Sequence, residues 1–292
     1  MTEDLNLNLL RHFYVLATSK SFLEASQKLH ISQPAVSKSI KQLETLLDTK
    51  LFYRTSDGVE ITNEGLIFFQ YIEKTFSNIN VGFKVLDSQK KLESGKLIIG
   101  TPSHIASFYL LDKIQSFKKN FPNISIQIIS SSTKELLKAL ENNKLDFIID
   151  TSPLEVLSKQ MKLEILDTLE TCFISKNKVT INSKHDIKKY PIILPIKESS
   201  MRKVLDKELK KNDIIIKPEI EVETTDLIIS SVKRELGIGY VIARAADREI
   251  KSGNINKVNY PIDLPKINLN LVYNDNCLTY ASRKFIKYYI KK

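Results

Sequence analysis

Three largely apolar stripes recur at steps of three and four within the first 47 residues: Leu9, Phe13, Leu16 and Ala17, then Phe22, Ala25 and Leu29 with the small Ser26 on the same side, then Val36, Ile40, Leu43 and Leu47. Each has the spacing of one buried helix face, which predicts three helices closing a small core. Ser21 and Glu24 stand in the S-x-x-E order of a capping box, where hydroxyl and carboxylate each satisfy an exposed N–H. His30 and Ile31 break the period, and Ser32 is suited to cap the third helix. Pro34 falls in its first turn, where a missing N–H removes nothing the helix needs. Gln33, Ser37, Lys38 and Lys41 then face outward, with Pro34 and Ala35 as compact surfaces at the tip. A tight turn before a polar-tipped third helix predicts a helix-turn-helix whose last helix meets a DNA major groove.

Beyond it the period shortens. Leu51-Phe52-Tyr53-Arg54 and Val59-Glu60-Ile61 read as two short strands around Thr55-Ser56-Asp57-Gly58, whose Asp-Gly pair tolerates positive φ. This predicts a wing, with Arg54 beside a phosphate or reaching toward the minor groove. Thr62 is placed to cap a long helix along which Phe69, Ile72, Phe76, Ile79, Phe83 and Leu86 alternate steps of three and four. Such a heptad seam pairs with a second helix. The alternative is packing within its own chain, but no helix of matching length lies nearby, so pairing between two chains is expected.

From about residue 94 strands and helices alternate. Strands are predicted at Leu97–Gly100, Asn123–Ile129 and Phe147–Asp150, with helices through Phe108, Leu111, Ile114 and Phe117 and from Lys134 to Asn142. This order implies a mostly parallel sheet with helices on its faces. A second set follows: Thr171–Ile174, Ile192–Leu194, a helix near Arg202–Leu209, Ile214–Glu223, a helix near Asp226–Glu235, and Gly239–Ile242. Ile267–Tyr273 and a helix Tyr280–Ile290 then return to the first lobe.

The residues Ser21-Phe22, Ala25, Leu29, Ser32-Gln33-Pro34-Ala35-Val36-Ser37, Ile40, Leu43-Glu44, Leu51-Phe52, Arg54, Gly58, Thr62 and Gly65 resemble the LysR-type transcriptional regulators. Their order and spacing hold over about the first 65 residues, and the Ser32–Ser37 block is highly specific. Gly95-Lys96-Leu97-Ile98-Ile99-Gly100 and Gly237-Ile238-Gly239 are similar to the family more loosely. Asp48 departs from the family's usual glycine after the third helix, and Asp adopts a left-handed conformation at modest cost. Lys38 replaces a common arginine, exchanging a fork-shaped donor for a point charge. The resemblance implies a winged helix-turn-helix (residues 1–62), a long linker and dimerisation helix (63–92), and a two-lobed α/β effector domain like a periplasmic binding protein (93–292). Lobe I would span about 93–166 and 267–292, and lobe II about 167–266. The resemblance further implies an inducer pocket in the cleft and a tetramer of two dimers that bends DNA.

Charge changes the picture less than its total suggests. The net charge is +10, but residues 1–92 hold 11 Lys and Arg against 10 Asp and Glu, whereas residues 93–292 hold 33 against 24. The basic excess therefore lies outside the DNA-reading region, where only the local patch of Lys28, Lys38, Lys41, Lys50 and Arg54 argues for nucleic acid. Cys172 and Cys277, and His12, His30, His104 and His185, fit no ligand spacing, so neither metal nor cofactor is expected. Met1-Thr2-Glu3-Asp4 lacks a signal-peptide core and no apolar run approaches the roughly 20 residues of a membrane helix, which predicts a cytoplasmic protein without a membrane partner.

Hydroxyl residues mark the junctions after the strands: Thr101 and Ser103, Ser131 and Thr133, Thr151, then Ser199 and Thr225. In open parallel sheets ligands bind there, at helix N-termini, and hydroxyls with N–H groups receive a carboxylate, sulfate or phosphate. The competing role is ordinary helix capping. Arg202 and His104 are candidates for added charge. The eight glycines are dispersed, with no phosphate loop and no G-x-S-x-G elbow, and Gly237-Ile238-Gly239 lacks the third glycine of a dinucleotide fingerprint. The expectation is a sequence-specific regulator, not an enzyme, modulated by a small anionic metabolite bound between lobes. The alternative is a two-lobed cytoplasmic metabolite-binding protein or enzyme with an accessory DNA-binding head. Gln33, Pro34, Ser37 and Lys38 would meet base edges, with Ala35 beside them among the DNA-binding residues, and Gln33 is suited to bidentate adenine readout. Ser32, Lys41 and Arg54 would hold phosphates. Expected partners are duplex DNA carrying an imperfect inverted repeat, the effector, a second or further copies of the chain, and RNA polymerase.

Overall fold

A computed structural model of the chain describes residues 6–55, 58–90, 95–151 and 160–291, which separate into two compact units, Met1–Gly82 and Phe83–Lys292. The first unit holds helices α1 (Leu7–Ala17), α2 (Phe22–Leu29) and α3 (Gln33–Leu47), a hairpin of β1 (Phe52–Thr55) and β2 (Gly58–Ile61), and the start of α4 (Asn63–Lys90). The predicted stripes are its core, with Phe13, Leu16, Ala25, Val36 and Leu43 fully buried. Ser21 accepts from the Glu24 N–H as expected, but Glu24 reaches back to the Lys20 N–H, one residue before the cap. His30 and Asp48 end α2 and α3 in the left-handed conformation, at φ 56° and 49°, so Asp48 does the work of the expected glycine. The wing pairs Phe52 with Ile61 through to Thr55 with Gly58; Ser56 and Asp57 of its expected turn lie outside the described residues.

Thr62 fixes the start of α4. Its hydroxyl accepts from the Gly65 N–H (2.9 Å) and donates to the Lys50 carbonyl (2.8 Å). The expected pairing seam is then divided in two. Phe69 stacks on Tyr14 at 5.5 Å, Phe76 packs on the same ring, and Ile72 is buried in the core of the first unit. These three residues are spent inside the first unit, Phe69 and Phe76 on Tyr14 of the much shorter α1 and Ile72 in the shared core. Ile79, Phe83 and Leu86 continue the seam and stand 39%, 66% and 59% exposed.

The second unit contains two five-stranded sheets. The first, in the order β4-β3-β5-β12-β6, is built from β3 (Gly95–Gly100), β4 (Ile124–Ile129), β5 (Phe147–Thr151), β6 (Met161–Leu169) and β12 (Ile267–Asn274). Helical segments α5 (Ser103–Ile105) and α6 (Leu111–Asn120), joined by a π turn, follow β3; α7 (Thr133–Glu141) follows β4; α11 (Tyr280–Phe285) follows β12. The second sheet, in the order β11-β7-β10-β8-β9, uses β7 (Thr171–Ser175), β8 (Ile192–Pro195), β9 (Ile220–Val222), β10 (Ile238–Ile242) and β11 (Asn256–Val258), with helices α8 (Ser200–Lys211), α9 (Thr225–Lys233) and α10 (Ala243–Lys251).

Neither sheet is mostly parallel, which corrects the sequence expectation. In each, two pairings are parallel and two antiparallel, because β12 and β7 enter by crossing from the other lobe rather than through a helical crossover. The strand expected over Ile214–Glu223 shrinks to Ile220–Val222. Pro218 has no N–H to give a ladder, and pairing with β8 begins only at Ile220. β6, α10 and β11 are elements the apolar pattern did not reveal. β6 is an edge strand carrying Lys162, Glu164, Asp167 and Thr168, and α10 buries only Ala246. Among the described residues no helix is long and apolar enough to cross a membrane.

Candidate DNA interface and effector cleft

At the tip of α3, Gln33 and Pro34 are exposed, as are Lys38 and Lys41 one and two turns on; Ala35 and Ser37 are half-buried. The Ser32 hydroxyl caps the helix by accepting from the Ala35 N–H at 3.4 Å. A helix N-terminus with exposed amide and ammonium side chains offers donors of the kinds that bind base edges and phosphates. Lys38 and Lys41 also line a groove between α3 and the start of α1, together with Asn6, Leu9 and Gln42. Arg54 lies in β1 opposite Val59; its side chain is outside what the structure describes.

What holds the reading helix against the wing is a residue that sequence analysis named without assigning it a role. The Glu44 carboxylate, 9% exposed, accepts from the Leu51 N–H (2.8 Å), the Phe52 N–H (3.3 Å) and the Lys50 ammonium (3.1 Å). It thereby satisfies two N–H groups at the start of β1 that the hairpin leaves open. Its signal in the sequence is a carboxylate next to Leu43 on the buried face of α3.

In the second unit, β3, β4 and β5 lie parallel, so Thr101, Ser103, Ser131, Thr133 and Thr151 gather at one edge of lobe I. Parallel β8 and β9 likewise bring Ser199 and Thr225 to one edge of lobe II. The two edges meet: the Ser103 hydroxyl donates to Asp226 of α9 at 2.8 Å, and Arg244 of α10 pairs with Asp167 of β6 at 2.7 Å. Both are ties between lobes, and neither was evident from spacing.

Most of the predicted hydroxyls already have intramolecular work. Ser131 bonds Glu135, which forms the reciprocal capping box of α7 with Ser132. Thr133 donates to the buried Asp150 at 2.8 Å. Thr101 and Thr225 are buried, and Thr151 is nearly so. Ser199 is the exception, since it sits at the N-cap of α8 and makes no side-chain cap bond. The two candidate cations are also committed. Arg202 is 3% exposed, with its Nε on both Asp206 oxygens and one terminal nitrogen on Glu221 (2.7 Å) and the Pro195 carbonyl (3.0 Å). It ties α8 to the ends of β8 and β9. Burial pushes the His104 imidazole down to about 4, against the opposing pull of Asp226, so it is neutral at neutral pH. Cys172 is buried, its thiol pushed up to about 11, and Cys277 is raised by burial as well.

Asp150 carries a testable consequence. Burial raises it from 3.8 to about 6, although the Thr151 N–H and the Thr133 hydroxyl favour its anion. Between about pH 4 and 6 the unfolded chain has lost this proton while the folded chain keeps it, so stability falls as pH rises through that window and then levels off. Asp150→Asn, which can accept from Thr151 and donate to Thr133, should remove that slope and stabilise the protein at pH 7 by roughly 1–3 kcal/mol. Urea melts of both proteins at about pH 4.5 and about pH 7 read this directly.

Comparison with known proteins gives two family matches. The model described as LysR substrate binding domain matches residues 90–292, and that described as bacterial regulatory helix-turn-helix protein, lysR family, matches residues 7–66. A relative from Cyanidium caldarium named probable RuBisCO transcriptional regulator is 28% identical over 293 residues, covering 95% of this chain and 90% of that protein. One of the same name from Trieres chinensis is 29% identical, covering 95% and 93%. Among solved structures, full-length CbnR complexed with its target DNA superposes with a TM-score of 0.67 at 14% identity, over 98% of this chain and 99% of that one. DarR of Vibrio fischeri in complex with DNA gives 0.58 at 18% identity, over 97% of both chains.

Proposed function

Because the chain belongs to the LysR family, as a DNA-binding transcriptional regulator with an effector-binding domain, we propose that α3 reads an operator and that the two-lobed unit tunes this reading in response to a small anionic metabolite. The observation that carries the first part is the α3 tip, where Gln33, Pro34, Lys38 and Lys41 are exposed on a helix whose other face is the core. Gln33, Pro34, Ala35, Ser37 and Lys38 address base edges, while Ser32, Lys41 and Arg54 hold the backbone. Two chains pair through the exposed half of α4, Ile79, Phe83 and Leu86, and set two heads on an imperfect inverted repeat. Two such dimers form the tetramer. The chain works in the cytoplasm, on DNA and with RNA polymerase as its partner, and catalyses no reaction of its own.

The effector lies between Ser103, Thr101 and Thr151 of lobe I and Ser199 and Thr225 of lobe II. Its acid group is received by the N-terminus of α8, where the Ser199 side chain leaves the first-turn N–H groups without a cap bond. Effector and DNA then bias each other's affinity reciprocally.

Capture of the bound genomic DNA, with footprinting, tests the reading function: a shared inverted repeat is expected, and diffuse salt-sensitive binding would refute it. On that operator Gln33→Ala should cost about 1–3 kcal/mol of discrimination at one base position. Lys41→Ala should weaken operator and random DNA alike. Equal losses on both DNAs for Gln33→Ala would remove it from the base-reading set. Thr101→Val and Ser103→Ala should abolish the effector response with operator binding intact. Unchanged effector affinity of both variants in calorimetry would move the pocket elsewhere.

A further inference from the structure

The two chain segments that cross between lobes are of unequal length. Leu169 pairs with Ile267 in the first sheet and Phe173 with Val258 in the second. Between these pairs one crossing has three residues, 170–172, and the other has eight, 259–266. The surplus must bulge away from the short crossing. Pro261 and Pro265 stiffen the bulge by fixing their own φ and holding Tyr260 and Leu264 extended. Its two ends are pinned, by Tyr260 donating to the Lys184 carbonyl (2.8 Å) and by Thr171 donating to the Pro265 carbonyl (2.7 Å). What remains between the crossings is a preformed cavity of about 410 Å³, lined by none of the hydroxyl residues predicted for the effector cleft.

Its lining is of two kinds. Val258, Tyr260, Ile262 and Leu264 give it an apolar body. Around them stand two acids, Glu170 and Asp263, and two lysines, Lys257 and Lys266, all exposed. Among the described residues none of these four side chains takes part in a hydrogen bond or ion pair, though both signs share one rim. Beneath the short crossing the ring of Tyr240 is fully buried, with its hydroxyl beside Thr171, which lines the cavity.

We propose that this hinge cavity is a second ligand site, distinct from the effector cleft, and that it takes a small ampholyte with an apolar body, of the α-amino acid class. The ammonium is met by Glu170 or Asp263, the carboxylate by Lys257 or Lys266, and the side chain rests on Leu264 and Tyr260. A molecule wedged between the crossings holds them at one separation, so it acts on the angle between lobes and modulates the response to the cleft effector rather than replacing it.

The test uses the full chain with L-leucine and L-phenylalanine as probes, and with isocaproate and isopentylamine as analogues carrying one charge each. Calorimetry should show at least one amino acid binding about tenfold more tightly than either analogue. The doubly substituted Lys257→Gln, Lys266→Gln and Glu170→Gln, Asp263→Asn proteins should each lose that preference. Leu264→Trp, which fills the cavity, should abolish binding while operator retardation in gels stays unchanged. Equal binding of amino acid and analogues, binding that survives Leu264→Trp, or no binding of either amino acid would each overturn the proposal. Operator binding is read separately, so failure here leaves the regulator assignment standing, and failure of the operator test leaves this site standing.

Discussion

Glu44→Ala should unfold the DNA-reading unit at temperatures where the second unit is still intact. The substitution strands the Leu51 and Phe52 N–H groups in a buried position and removes the contact of Lys50. A buried donor without a partner costs about 1–3 kcal/mol, more when the lost acceptor is charged, so two together remove roughly 3–5 kcal/mol. That is a large share of the stability of a small domain. Two calorimetric transitions are expected, the lower one shifted by the substitution and the upper one unmoved. Glu44→Gln keeps one acceptor oxygen and should lose about half as much. A Glu44→Ala protein with an unshifted lower transition would show that the carboxylate is not what joins α3 to the wing.

The second large effect is expected at Gly237. Its φ of +149° lies where L side chains are strained, and a Cβ there would stand 2.4 Å from the Pro191 carbonyl oxygen, which is backbone and cannot swing aside. That carbonyl is already held by the Ile238 N–H at 2.8 Å. Backbone strain of about 1–3 kcal/mol and a forced shift of similar size together predict a loss of roughly 3–5 kcal/mol from Gly237→Ala. Gly239→Ala should cost less, since its Cβ would meet the Ile228 and Val232 methyl groups of α9, side chains able to give. Urea melts should therefore rank Gly237→Ala well below Gly239→Ala, with the first-unit transition unchanged in both. The reverse order would mean that α9 packing, not the Pro191 contact, is the reason for this glycine pair.

The first unit was legible in the sequence because each helix has its own cap and its own apolar stripe, and both are local signals. Ser32, Pro34 and Thr62 do in the structure what their positions announce. The seam on α4 was only half legible. Spacing shows that Phe69, Ile72 and Phe76 need a partner, and cannot say that Tyr14, some 55 residues earlier in the chain, supplies it. In the effector unit, buried strands such as β5 and β10 announced themselves as apolar runs. Edge strand β6 and helix α10 did not, because half their residues face water. The hydroxyl residues lie at strand ends and helix starts as expected, and Glu135 engages Ser131 and Ser132 within one local capping box, but Asp150 and Asp226, which engage Thr133 and Ser103, come from elsewhere in space. Which hydroxyl is free is a tertiary fact.

The division of the α4 seam has a consequence for the genetics of this protein. Phe69, Ile72 and Phe76 complete the head on their own chain, whereas Ile79, Phe83 and Leu86 lie beyond it. Under the pairing proposed above, a truncated allele that stops before Ile79 would make a head whose core is whole but which lacks the pairing residues, and it should be recessive. An allele that keeps all of α4 and loses the rest would still join wild-type subunits and dilute them with partners lacking the effector unit, and it should be dominant. On that reading a few residues along one helix separate a silent lesion from a poisonous one.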